Sequence, residues 1–142
     1  MLEQIKRLAR QKRTCVLATV DGDKPYCSLM AYVTDEDCEE IYMVTHKDTR
    51  KYRNLLANPA ASIMIDSREL KSRAQAQALT VEGACCRIED EDKEKQVRAM
   101  LLKAHPQLKG FVDHPDAALL CIKVNSFLLL NGLTESHFIE MP

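Results

Sequence analysis

Between Thr14 and Glu140 the apolar residues fall mostly in short runs, each ended by turn-forming residues, and that rhythm points to a sheet of many short strands. Thr14 to Val20 reads as a strand buried on both sides, and Asp21-Gly22-Asp23-Lys24 turns it into a second strand from about Pro25 to Val33. After an acidic turn, Thr34 to Glu39, a third strand runs from Glu40 to Thr45, and Ala61 to Asp66 is the next. Leu79 to Ile88 is a strand interrupted by Gly83, where a glycine marks the bend at which a barrel turns its corner. Leu119 to Val124, Phe127 to Asn131 and His137 to Glu140 complete the set, with Asn131-Gly132 as a turn.

Three helices interrupt this pattern. Leu2, Ile5, Leu8 and Ala9 recur at helical spacing and lay one face on the body, closing an end of the barrel. Asp48 or Thr49 caps a short helix carrying Tyr52, Leu55 and Leu56, stopped at Asn58-Pro59. The acidic run Glu89 to Asp92 opens a third, with Val97, Met100, Leu101 and Ala104 on one face and His105-Pro106 at its end. Seven or eight strands with three helices suit a mainly β fold: a closed or nearly closed antiparallel barrel with helices at its ends. From Ser67 to Ala78 no period is clean, which predicts a long loop that folds over a ligand or reaches a partner subunit.

The 142 residues fit one domain, since domains cluster near roughly 100–150 residues. With 20 Lys+Arg against 21 Asp+Glu there is no positive field of the kind that drives binding to nucleic acid or an anionic membrane. No stretch approaches the roughly 20 apolar residues of a membrane span, and the basic start lacks the apolar run of a secretory signal, so a cytoplasmic protein is expected. The cysteines at 15, 27, 38, 85, 86 and 121 form no CxxC pair and read as reduced thiols. Cys85 and Cys86 are adjacent, and neighbours on a strand point to opposite faces.

The segment from Thr45 to Lys51 carries the most chemistry. Hydroxyls and cations gather where a strand passes into a helix, and the free amides and dipole of a first helical turn favour an anion there. Arg50 offers a forked pair of donors and Lys51 a point charge, as a phosphate would require. The same residues also suit a plain cap followed by a solvated basic turn. There is no catalytic triad, no suggestive carboxylate pair and no metal cluster, and His46, His105, His114 and His137 are scattered.

The run Thr-Arg-Lys-Tyr-Arg-Asn-Leu-Leu-Ala-Asn-Pro, with Thr45 before it, Cys15-Val-Leu-Ala-Thr-Val-Asp-Gly-Asp-Lys-Pro-Tyr upstream and Leu79-Thr-Val-Glu-Gly83 downstream, resembles the pyridoxamine 5′-phosphate oxidase-like family. The likeness spans roughly Arg13 to Val124. It implies an FMN-binding, antiparallel split β-barrel working as a homodimer, with two FMN molecules in clefts between the subunits and a small molecule as substrate. It assigns Thr45, Thr49, Arg50 and Lys51 to the phosphate. Ser28 to Tyr32, including Leu29 and Met30, are assigned to the isoalloxazine ring, though Leu29 and Met30 read equally as strand core. Gln75 or Gln77 falls where the family brings a polar side chain from the partner subunit.

Two features depart from the true oxidases. Their ring-lining strand carries an Arg and a Lys, and Ser28-Leu29-Met30-Ala31-Tyr32 has neither; their substrate-contacting carboxy-terminal Arg and His are not evident after Phe127. The expectation is therefore an FMN-dependent oxidoreductase with another substrate. The competing classes are a non-catalytic flavin carrier or redox sensor, or the same fold holding a deazaflavin or haem. A flavin does the difficult chemistry itself, so the protein need only bind, orient and shield it.

Overall fold

The computed structural model describes residues 1–67 and 75–142. Its elements are α1 (Leu2–Gln11), β1 (Thr14–Asp21), β2 (Lys24–Ala31), β3 (Val33–Thr34), β4 (Glu40–His46), α2 (Arg50–Ala57), β5 (Ala60–Asp66), β6 (Gln77–Arg87), α3 (Glu91–Ala104), a 3₁₀ turn (Pro106–Leu108), α4 (Lys109–Val112), β7 (Ala117–Asn131) and β8 (Glu135–Glu140). The strands form one antiparallel sheet in the order β2-β1-β5-β6-β7-β4-β3, with β8 added to the far half of β7. The two ends of this path, β2 and β3, are separated in the chain by Tyr32 alone, so the sheet has to curl back on itself. The result is a half-barrel of the split-barrel type.

Tyr32 is the seam. Its N–H donates to the Arg13 carbonyl at 3.1 Å, its carbonyl pairs with His105 Nε2 at 2.9 Å, and its hydroxyl donates to the Ala9 carbonyl at 2.5 Å. The bond to Arg13 is the last rung beside β1, and the bonds to Ala9 and His105 turn the chain away from it, so β2 stops at Ala31 instead of running on to Val33. Inside the barrel, Leu17, Ile63, Leu79, Val81, Ile122 and Phe127 are almost fully buried, and Ile5, Leu8 and Ala9 of α1 close the end. Each such aliphatic side chain contributes roughly 1.5–3 kcal/mol by leaving water. β1 is buried on one side only: Cys15, Leu17 and Thr19 face inward, and Val16, Ala18 and Val20 are half-buried.

Two strands expected after Leu119 are one. β7 runs unbroken for 15 residues, pairing β4 along its first half and β8 along its second, with β6 on its other side throughout. The ladder to β6 shifts register there: Glu82 pairs with Ser126 and the next residue, Gly83, with Val124, so Asn125 of β7 is the extra, bulged residue. A Cβ at Gly83 would fall on the Lys123 carbonyl, so only glycine lets the two backbones approach this closely. The loop expected from Ser67 to Ala78 is shorter at its far end. Gln77 already pairs with Asn131, and its N–H donates to Ser67 Oγ at 2.8 Å; the loop's residues 68–74 lie outside the described residues.

A second core lies outside the barrel, where α3 and α4 cover β4 and β7. Val97, Leu101 and Val112 pack there on Tyr42, Val44, Leu119 and Cys121. Glu40 ties the rim of this layer together, accepting from Lys93 Nζ at 2.7 Å, Tyr42 Oη at 2.6 Å and Cys121 Sγ at 3.2 Å. Burial alone would raise the Glu40 carboxyl, but the three donors and the Lys93 charge outweigh it and hold the group down at about 2. Its ordinary value is 4.5, so the stabilisation is present above that pH and is lost as pH falls toward about 2. Urea unfolding at pH 5 and pH 2.5 is expected to show a drop that Glu40→Gln reduces by on the order of 2 kcal/mol; an equal drop in both proteins would remove Glu40 from the acid response. Among the described residues no helix is long and apolar enough to cross a membrane.

Candidate functional site

β4 ends at His46, and the turn into α2 is clamped from the far side by Asp116. The Lys47 N–H donates to the Asp116 carbonyl at 2.9 Å, and the Asp48 N–H to its carboxylate at 3.1 Å. Thr49, in extended conformation, is the cap of α2: its Oγ1 accepts from the Tyr52 N–H at 3.3 Å and donates to the His46 carbonyl at 2.8 Å. Thr45 is fully buried behind it, with the two hydroxyl oxygens 3.3 Å apart. Thr45 therefore holds Thr49 in place, and its side chain is not at the surface. Asp48, the other candidate cap, instead faces Arg53 at 3.6 Å.

With Thr49 as cap, Arg50 and Lys51 are the first two residues of the helix, and their N–H groups have no intrahelical acceptor. Arg50 is exposed and Lys51 half-buried, and among the described residues neither forms an ion pair with a carboxylate. Two free amides and two cations without a carboxylate partner among the described residues thus stand on the first turn, at the positive end of one helix dipole. The helix is seated on the barrel by Asn54, buried, whose Nδ2 donates to Thr19 Oγ1 at 3.1 Å. A hollow of about 620 Å³ beside it is lined by Arg50, Arg53, Asn54 and the β1–β2 turn.

Arg50 also touches the strand next door. The Arg50 guanidinium lies 5.3 Å from the centre of the Tyr26 ring, within cation–π range. Tyr26 belongs to β2, the end strand of the sheet, which pairs only with β1. Among the described residues nothing pairs with its outer edge. On β4, pairing to β3 covers only Ile41 and Tyr42, so the edge from Met43 to His46 is also open on that side. β2 and β4 approach one another across this gap in the ladder, and the start of α2 stands at its end. An elongated ligand with an anionic end and a flat polar edge matches that arrangement: donors at α2, and unpaired main-chain groups along β2.

The ring-assigned residues divide between two faces. Ser28 and Met30 pair with Leu17 and Cys15 and turn inward, Ser28 half-buried and Met30 buried. Leu29 turns outward and is 76% exposed. Tyr32 is buried with its backbone and hydroxyl groups all engaged, so the structure does not bring it to the gap. Gln77 starts β6, with its Nε2 3.5 Å from Asn131 Oδ1, and β1 and β5 stand between it and β2. Within one chain it is apart from the cations.

Leu29 heads a row that strand register carries across the outer face: Val16 opposite it, then Met64, Thr80, Leu128 and Phe138 on β5 to β8. Phe138 is 61% exposed, and Leu130 in the next row is exposed too. Apolar side chains on five of these six strands, interrupted only by Thr80, are unusual on a surface bathed in water. A hollow of about 470 Å³ opens on the same face beside Leu29, Val16 and Met64.

The model of the pyridoxamine 5′-phosphate oxidase family matches residues 1–131. The chain belongs to that family. No curated protein matches it in sequence. Among solved structures, a heme binding protein from Mycobacterium smegmatis superposes with a TM-score of 0.86 at 22% identity, over 98% of this chain and 57% of that one. The oxidase-family chain also resembles HutZ, the heme storage protein from Vibrio cholerae, with a TM-score of 0.76 at 24% identity over 92% and 93% of the two chains. An FAD-binding protein from Mesorhizobium loti gives 0.74 at 14% identity, covering 89% and 91%. At these identities the likeness establishes the fold.

The sequence gives no hint of Asn54 or Tyr26 as partners of the site, because each is defined by what lies across from it. Tyr26 does stand in the Lys-Pro-Tyr stretch of the family motif, and a tyrosine ahead of a basic helix start is the one signal available. The histidines are less scattered than expected. His46 stacks on His114 with ring centres 4.5 Å apart, and Phe111 lies 3.8 Å away. His46 Nε2 pairs with the Phe111 carbonyl, and His114 Nδ1 accepts from the Asp116 N–H, so the stack braces the same turn that Asp116 clamps. Among the described residues no cluster could hold a metal ion.

Proposed function

We propose that this chain is an FMN-binding member of its family, a homodimer that uses the flavin to oxidise or reduce a small molecule. The observation that carries the reading is the pair Arg50 and Lys51, free of carboxylates among the described residues and backed by two unbonded amides beside the open edge of β2. The residues present fit the group: the α2 start suits a phosphate, and the β2 edge offers main-chain donors and acceptors to a ring's polar rim. When bound, FMN supplies reversible electron transfer. The protein's own part is to hold the phosphate, orient the ring and exclude water, which asks for no side-chain acid or base.

Homodimerisation rests on the family and on the apolar row from Leu29 to Phe138, which a second copy would cover. The partner's Gln77 would then be the polar side chain that one chain alone keeps away from the cations. Pyridoxamine 5′-phosphate is not the expected substrate. Its phosphate needs a counter-charge near the ring, and Ser28, Leu29, Met30 and Ala31 provide none. An uncharged face suits a flat, neutral acceptor such as a quinone.

Haem is the second reading, favoured by the names of two structural neighbours. Against it stands the position of three of the four imidazoles: His105 is bound to the Tyr32 carbonyl, and His46 and His114 are stacked against α4, which leaves His137 on β8 as the candidate ligand. The visible spectrum of the purified protein separates the two, since oxidised FMN gives two bands in the blue and near ultraviolet and haem a Soret band. With FMN bound, stopped-flow traces are expected to show reduction by NADH or NADPH and reoxidation by a quinone faster than for free FMN. If no acceptor in a broad panel outpaces free FMN while binding stays tight, the protein is a carrier or sensor; rapid oxidation of pyridoxamine 5′-phosphate would overturn the substrate assignment.

A further inference from the structure

We propose that Cys86 and Cys121 are a peroxide-responsive thiol pair that closes into a reversible cross-strand disulfide beside α3. In the β6–β7 ladder Cys86 stands directly opposite Cys121. Directly opposed residues of antiparallel strands have Cα atoms about 4.5–5.5 Å apart and side chains on the same face, inside the roughly 4.4–6.8 Å span of disulfides.

The surroundings divide the labour between the two thiols. Cys86 is exposed, while Cys121 is buried with its thiol donating to Glu40 Oε2 at 3.2 Å. The Lys93 ammonium lies 2.7 Å from Glu40 Oε1, on the same carboxylate that accepts from the Cys121 thiol. Cys85 faces the barrel core, where burial pushes its thiol up to about 12, and the like charge of Cys86 adds to this. Cys27 is exposed as well, but it stands opposite Ala18 and has no thiol to close on. The chain thus carries one exposed cysteine with a partner in register and one without.

The chemistry closes with a peroxide as oxidant. The Cys86 thiolate attacks the O–O bond of hydrogen peroxide, which breaks and leaves as water once protonated, and Cys86 becomes a sulfenic acid. The Cys121 sulfur then attacks the Cys86 sulfur, the S–O bond breaks, and the hydroxyl departs as a second water carrying the Cys121 proton. Two thiols lose two electrons in all, and the peroxide gains them. Burial and the hydrogen bond to Glu40 both hold that proton on Cys121 beforehand, which slows the second step. A small dithiol reverses the bond by exchange.

Equimolar hydrogen peroxide followed by non-reducing peptide mapping tests this. The expected product is an intrachain link between the peptide bearing Cys86 and the peptide bearing Cys121, lighter by two hydrogens and cleaved by dithiothreitol. Cys86→Ser and Cys121→Ser should each abolish it and Cys85→Ser should keep it, with Cys121→Ser leaving Cys86 as a sulfenic acid that dimedone traps. Glu40→Gln is expected to speed closure several-fold. The proposal is overturned if Cys121 stays alkylatable while Cys86 passes to the sulfinic acid or links two chains, or if the link survives Cys86→Ser. An unchanged closure rate in Glu40→Gln would overturn the role given to Glu40.

Discussion

In the double variant Arg50→Ala/Lys51→Ala, affinity for FMN is expected to fall by about a hundredfold or more while affinity for riboflavin changes little. Each cation is placed to make charge-assisted bonds to a phosphate, worth about 1.5–3 kcal/mol apiece, or roughly tenfold or more in binding for each residue. Riboflavin shares the ring and ribityl chain but not the phosphate, so it isolates that end of the ligand. The two amides and the Thr49 cap remain in the variant, which leaves the helix start intact. Fluorescence titration with both ligands reads the result. Equal losses for FMN and riboflavin would mean that the cations shape the site as a whole; no loss for FMN would remove the phosphate from α2.

What could be read in advance about this site depended on how local its causes are. The strand-to-helix junction at Thr45 to Lys51 is legible because a capping hydroxyl, a helix stripe and two cations act on neighbours within a few residues. The division of roles inside it is not. Thr45 and Thr49 look alike in the chain, yet one is buried against the other's hydroxyl, and that depends on β7 and Asp116 closing over the turn. Tyr32 shows the limit more sharply. As one residue of an apolar strand it belongs with Leu29 and Met30, but the sheet must close at that point, so its hydrogen bonds go to α1, Arg13 and His105.

The same distinction separates the strands whose ends were foreseen from those whose ends were not. Asp21-Gly22-Asp23-Lys24 ends β1 by its own turn chemistry, with Gly22 at a φ of 61°. β7, by contrast, passes through Asn125 and Ser126, polar residues that suggest a break, because a bulge at Asn125 lets its ladder to β6 continue on both sides. Cys86 and Cys121 are likewise 35 positions apart in the chain, and only register sets one against the other. Long-range pairing leaves little trace in any single stretch of sequence.

Leu128→Asp is expected to convert the proposed dimer to monomer at micromolar concentration and to abolish tight FMN binding with it. Leu128 sits within the outer row, between Thr80 on β6 and Phe138 on β8, and keeps 36% of its surface exposed in the single chain. A carboxylate there is tolerated by a monomer, where water reaches it. Against the same row of a second copy it would be a desolvated charge without a partner, a cost of about 3–5 kcal/mol, and symmetry makes it occur twice. Leu128→Met, which conserves volume and polarity, should stay dimeric and keep the flavin. Sedimentation equilibrium with and without FMN follows both variants, and circular dichroism confirms that the aspartate variant is folded. A folded Leu128→Asp monomer that still held FMN tightly would place the cofactor within one chain, and a dimer that survived the substitution would move the subunit contact off the face that Leu29 and Phe138 share.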